Sequence, residues 1–141
     1  MPEKSLSSAG VRLLRLDYGC VLEALKSYAE RVVAKGALLV VLVGSLARGD
    51  YTAYSDADVL VVLESSDKKP HERIPDFLDP TLPVDVDPFV YTLDEITRLA
   101  YEGSRIVQEA VERGVLLAGS ESVFARIKDA FCARRNLCTN S

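Results

Sequence analysis

Leu38-Leu39-Val40-Val41-Leu42-Val43, then Gly44-Ser45-Leu46-Ala47-Arg48-Gly49-Asp50-Tyr51-Thr52-Ala53-Tyr54-Ser55, then Asp56-Ala57-Asp58 and Val59-Leu60-Val61-Val62-Leu63: this stretch decides the fold. Both aliphatic runs lack polar interruption, so each predicts a strand covered on both faces. The connection between them, Gly44–Ser55, is polar and twelve residues long. That is near the minimum for a parallel crossover, so an antiparallel pairing stands as an equal alternative.

Working outward, Val21, Leu22, Leu25, Tyr28, Ala29 and Val32 recur at steps of three and four, with Glu23, Lys26, Glu30 and Arg31 between them. The pattern predicts an amphipathic helix with Asp17 as N-cap and Gly36 as its stop. Downstream, Glu64–Leu82 is charged and broken by Pro70, Pro75 and Pro80, and reads as a long surface loop with one helical turn. Pro83–Tyr91 alternates Val84, Asp85, Val86 and Asp87 and predicts a third strand, with Pro88 marking an edge or a bulge. Thr92-Leu93-Asp94-Glu95 is a capping-box signature. It opens helices over Leu93–Tyr101 and Ser104–Arg113, divided by Gly103 and ended by Gly114. Val115–Ala118 reads as a short strand and Glu121–Arg135 as a last helix, its apolar stripe of Val123, Phe124, Ile127, Ala130 and Phe131 facing a core. The resulting fold class is α/β (α+β), a small sheet flanked by helices.

Length and composition set the outer limits. The chain has 141 residues, 48% hydrophobic and 27% charged, with 17 Lys+Arg against 21 Asp+Glu and a net charge of −4. These values exclude a disordered or collagen-like chain and suit one domain over residues 1–141, with a loose segment over 1–16 and a helical extension over 119–141. The longest apolar run, Ala37–Val43, is too short to span a bilayer. No secretory signal is evident, and Cys20, Cys132 and Cys138 show no CxxC spacing. They read as reduced thiols of a cytoplasmic protein. A pI near 5.0 argues against nucleic-acid binding through a basic face.

Asp56 and Asp58 carry the chemistry. Lying two apart at the entry to a strand, they project to one face and repel each other. A divalent cation offsets that repulsion, and hard oxygen donors without His or Cys nearby favour Mg²⁺ over zinc. Gly44-Ser45, at the end of a buried strand and the start of a short helix, offers free N–H groups and a hydroxyl to a phosphate. Arg48 fits either a phosphate contact or an ion pair with Asp50 or Asp56. Asp85 and Asp87 share a face of the third strand, and if that strand pairs with Val59–Leu63 one of them meets Asp56 and Asp58. Three carboxylates beside a phosphate cradle suit two cations bridging a nucleoside triphosphate. Tyr51 and Tyr54 read as packing over this loop more readily than as base-stacking groups. His71-Glu72 lacks the second His of a zinc motif and reads as solvated loop.

With these residues in view, Gly44-Ser45, ten residues and Asp56-x-Asp58 resemble the signature of DNA polymerase β-like nucleotidyltransferases. The compact context is most similar to minimal nucleotidyltransferase (MNT) domains over about residues 17–118, counting from the predicted N-cap Asp17. The resemblance implies a small mixed or antiparallel sheet with helices around it. It implies that Asp56 and Asp58 bind Mg²⁺ and that Asp87, better placed than Asp85 before Thr92, is the third metal-binding and catalytic acid. It further implies that Gly44 and Ser45 hold the triphosphate of ATP, that AMP is transferred with loss of pyrophosphate, and that a helical HEPN-type toxin is a candidate partner for an MNT-type antitoxin. A nucleotide-binding module without turnover is the remaining alternative. The acceptor and any homo-oligomer stay open.

Overall fold

The computed structural model describes residues 18–51 and 55–135. The predicted N-cap Asp17, the N-terminal segment, Tyr54 and Cys138 lie outside the described residues. Helix α1 (Tyr18–Ala34) buries Val21, Leu25, Tyr28, Ala29 and Val32, the stripe that its periodicity predicts. Strand β1 (Ala37–Val43) runs straight into a five-residue helix α2 (Gly44–Arg48), and β2 (Ala57–Leu63) follows the loop. Helix α3 (Pro70–Arg73) and a 3-10 turn (Ile74–Phe77) lead to β3 (Val86–Thr92). Helices α4 (Leu93–Glu102) and α5 (Arg105–Arg113), strand β4 (Val115–Gly119) and helix α6 (Glu121–Arg135) complete the described elements.

The four strands form one mixed sheet in the order β3-β2-β1-β4. β1 is antiparallel to both β2 and β4, while β2 and β3 are parallel. Of the two pairings left open for the first two strands, the antiparallel one is adopted. Their apolar runs have no polar alternation because both sheet faces are covered. On one face Val40, Leu42, Val59 and Val61 pack with Val21, Leu25 and Ala29 of α1. On the other, Leu39, Val41, Leu60 and Val62 meet Ile96 of α4, Val107 and Ala110 of α5, and Ile127 and Phe131 of α6. Each such aliphatic side chain contributes about 2 kcal/mol of burial. Pro88 sits in the edge strand, and the β2–β3 register runs without a shift from Ala57↔Val86 to Leu63↔Thr92. The edge therefore accommodates the missing N–H, and no bulge forms.

The Glu64–Leu82 segment is a mostly exposed connection with a helical turn at Pro70–Arg73, as its sequence predicts, with one buried side chain in it. Arg73 is 3% exposed. Its Nε donates to the Lys68 carbonyl at 2.8 Å, one Nη to the Val90 carbonyl at 3.2 Å, and the two Nη atoms grip Glu95 at 2.7 and 3.1 Å. Glu95 also closes the capping box, accepting from the Thr92 N–H at 2.9 Å while the Thr92 hydroxyl accepts from Glu95 N–H at 3.2 Å. One carboxylate thus fastens the α3 segment to the junction of β3 and α4. The Arg73 hydrogen bonds first, and then those with Thr92, hold the Glu95 carboxyl down at about 2 against burial, which pushes it up.

Cys20 is a free, exposed thiol. Cys132 on α6 is disulfide-bonded, so the reading of three reduced thiols is corrected there. Lack of CxxC spacing does not prevent a bridge, because bonding depends on how close the folded chain brings two Cα atoms. The cysteine argument for a reducing compartment falls with it. Among the described residues no helix is long and apolar enough to cross a membrane.

Candidate active site

Strand register assembles the site. Val43 at the end of β1 lies opposite Asp58 at the start of β2. Asp58 in turn lies opposite Asp87 at the start of β3. Side chains two apart share a face, so Asp58 belongs with Leu60 and Val62, and Asp87 with Phe89 and Tyr91, on the side covered by α4, α5 and α6. Asp56 precedes β2 and is exposed. Asp85 lies outside β3, and its carbonyl accepts the Ala57 N–H at 2.8 Å. Asp87 is therefore the acid of the Asp85/Asp87 pair that stands directly beside Asp58.

Asp58 feels this crowding. Burial, then the negative charge of Asp87 and then that of Asp56, push its carboxyl above the usual range, while Arg48 acts in the opposite sense. Among the described residues no three His, Cys, Asp or Glu side chains are arranged to hold a metal ion between them. Asp58 and Asp87 thus meet in register, and Asp56 adds its negative charge, without the three forming a metal cage among the described residues. The donor set still fits a hard divalent cation. All donors are carboxylate oxygens, one is partly desolvated, and the cluster is destabilised by its own charge, which a cation relieves.

Gly44 makes room for this arrangement. Its φ is +76°, and a Cβ placed there would lie 2.4 Å from Asp58 Oδ2. Gly44→Ala is expected to lose about 1–2 kcal/mol of stability from the left-handed backbone alone. It should also displace the Asp58 carboxylate, so that activity falls further than the thermal midpoint explains. A variant with wild-type melting and wild-type turnover would contradict this close approach.

Helix α2 has Val43 at its N-cap position, and no side chain caps it. The Ser45 hydroxyl donates to the Ser55 hydroxyl at 3.1 Å, drawing the two ends of the loop together. Tyr18 braces α2 from beneath: its hydroxyl donates to the Leu46 carbonyl at 2.9 Å, and its ring stacks on Tyr51 with centroids 5.1 Å apart. Tyr51 is thereby packed within the fold, as expected. Arg48 pairs with Asp50 at 3.2 Å and, from α2 to α5, with Glu109 at 2.9 Å. Glu109 was not legible in the sequence. It stands 61 residues from Arg48 on a helix whose own pattern shows only an amphipathic face.

Residues 22–117 match the family described as the nucleotidyltransferase domain. The chain belongs to that family. Among solved structures, one described as a toxin-antitoxin with AMP-PNP is 19% identical to this nucleotidyltransferase domain. The match covers 82% of this chain and 90% of that one, with a TM-score of 0.56, a likeness of fold. A Sulfolobus solfataricus protein described as a candidate nucleotidyltransferase is 23% identical over 78% of this chain and 83% of its own. Its TM-score is 0.47. No curated protein sequence matches the chain.

Proposed function

We propose that this domain transfers a nucleoside monophosphate, AMP from ATP, to an acceptor hydroxyl in a Mg²⁺-dependent reaction. The observation that carries the reading is the Asp58–Asp87 pairing, in register across β2 and β3, directly beside the Gly44 backbone. Asp56, Asp58 and Asp87 would hold the metal, with Asp85 as the alternate third ligand. Bound there, Mg²⁺ supplies charge neutralisation for a polyphosphate and for the oxygens of an in-line displacement. Gly44 and Ser45 would hold the triphosphate against the α2 backbone, and Arg48 would add a planar cation. In the transfer, a new bond forms between the acceptor oxygen and the α-phosphorus while the bond to the bridging oxygen breaks and pyrophosphate leaves. Asp87, exposed at the first turn of the edge strand, is the base in reach of the acceptor proton.

The test is incubation with α-labelled ATP, Mg²⁺ and candidate acceptors, comparing wild type with Asp56→Asn/Asp58→Asn. Label transfer by the wild type alone is expected, and equal labelling by both forms would remove the proposed role of the acids.

A second reading is favoured by the toxin-antitoxin neighbour. The domain would act as an antitoxin on a protein partner of HEPN type, by binding it or by modifying it. Inhibition of such a partner that survives in the double Asp variant assigns the effect to binding, and inhibition lost with the acids assigns it to transfer.

A further inference from the structure

Arg48 is the cation carried by α2, the helix proposed to hold the polyphosphate, yet both of its ion-pair contacts are carboxylates. Asp50 is its near neighbour in the chain and largely exposed, whereas Glu109 reaches across from α5 with 23% of its side chain exposed. Asp50 takes Nε and Glu109 takes one Nη, so a phosphate that grips the guanidinium through two parallel N–H bonds displaces one of these two. Glu109 is the partner with an alternative. It lies four residues after Arg105 and four before Arg113, the spacing that places side chains together on a helix surface. Neither arginine has an ion-pair partner among the described residues. Arg48, Arg105, Glu109 and Arg113 all line one cavity of about 500 Å³ between α2 and α5.

We propose that Glu109 is a latch on nucleotide binding: it holds Arg48 until a polyphosphate takes its place, and then turns to Arg105 and Arg113. The inference rests on the reading of α2 as the polyphosphate site. Glu109 acts as a positioning residue, since it reaches the nucleotide only through Arg48. The exchange strands no charge, because the carboxylate leaves one guanidinium for two others. Its cost is set by a partly exposed ion pair, which is small and screened by salt. The latch therefore tunes affinity instead of blocking the site.

The experiment is titration of ATP with Mg²⁺ into wild type, Glu109→Gln, Arg48→Gln and the double variant, by calorimetry at low and high salt. Glu109→Gln is expected to tighten ATP binding about two- to fivefold, the size of an exposed ion pair. The gain should shrink at high salt and disappear in the Arg48→Gln background, with thermal midpoints unchanged among all four. Tightening of equal size with and without Arg48 would overturn the latch, leaving only long-range repulsion by Glu109. Unchanged or weakened binding in Glu109→Gln would overturn it as well. Absence of ATP binding by the wild type would overturn the polyphosphate site itself, and the latch with it, whereas binding without Arg48–Glu109 coupling removes the latch alone.

Discussion

Asp58→Asn is expected to reduce nucleotidyl transfer by about 10²- to 10³-fold, the size of effect of removing one electrostatic stabilising group from an active site, while the protein melts no earlier than wild type. The two halves of this expectation have one origin. Asp58 is partly buried beside Asp87 and Asp56, and its carboxyl is pushed upward by burial first and those two charges next. A carboxyl whose pKa is higher in the folded than in the unfolded chain costs stability once pH rises through the folded value. Neutralising it with an isosteric amide removes that cost at neutral pH. A purely structural aspartate behaves in the opposite way, because its loss lowers the melting temperature. Parallel thermal melts and label-transfer rates on the same preparation measure both halves. An asparagine variant that melts well below wild type, or one that keeps full activity, would contradict the placement of Asp58.

Arg73→Ala is expected to lose about 3 kcal/mol, the lower part of the range for breaking a buried pair because Glu95 stays partly exposed. In a domain of this length the loss lowers the thermal midpoint by about 10 °C. The cause is the removal of four hydrogen bonds from one nearly inaccessible guanidinium, which also unfastens the α3 segment from Val90 and Glu95. The same contact sets a pH dependence. Glu95 is held at about 2 against an ordinary value of 4.5, so its stabilisation is full above 4.5 and is lost as pH falls from there through about 2. The wild type should lose this increment on acidification, and Arg73→Ala, lacking it already, should show a shallower acid limb. Chemical denaturation at neutral pH and at pH 3 separates the two. Equal slopes in both proteins would mean that Arg73 is not what holds Glu95 ionised.

Local signals carried much of the fold. The uninterrupted aliphatic runs of β1 and β2 identified a sheet covered on both faces, and Thr92 with Glu95 marked the start of α4. Gly103 and Gly114 fell where α4 and α5 end. What local pattern does not encode is pairing at a distance. Nothing in Val115–Gly119 states that it lies beside β1 and not beside β3, since its partner is 70 or more residues away in the chain. Arg73 was unreadable for the same reason: within a charged, proline-broken segment it looks solvated, and only Glu95, 22 residues on, makes its burial tolerable.

The site divides along the same line. Asp56 and Asp58 announce themselves by spacing, and Gly44 and Ser45 by their position after a buried strand. The choice between Asp85 and Asp87 depends on the β2–β3 register, which period-two alternation leaves ambiguous because both acids share a face. Parallel pairing places Asp87 opposite Asp58. Glu109 carries no sequence signal at all, and its contact with Arg48 follows from α5 packing beside α2.

The most direct measurement is a crystal structure of this domain with Mn²⁺ and a non-hydrolysable ATP analogue, recorded at the manganese absorption edge. The account predicts anomalous density between the carboxylates of Asp58 and Asp87, with the triphosphate lying along Gly44 and Ser45. Nucleotide bound elsewhere, or bound at α2 with manganese touching neither of those acids, would contradict it.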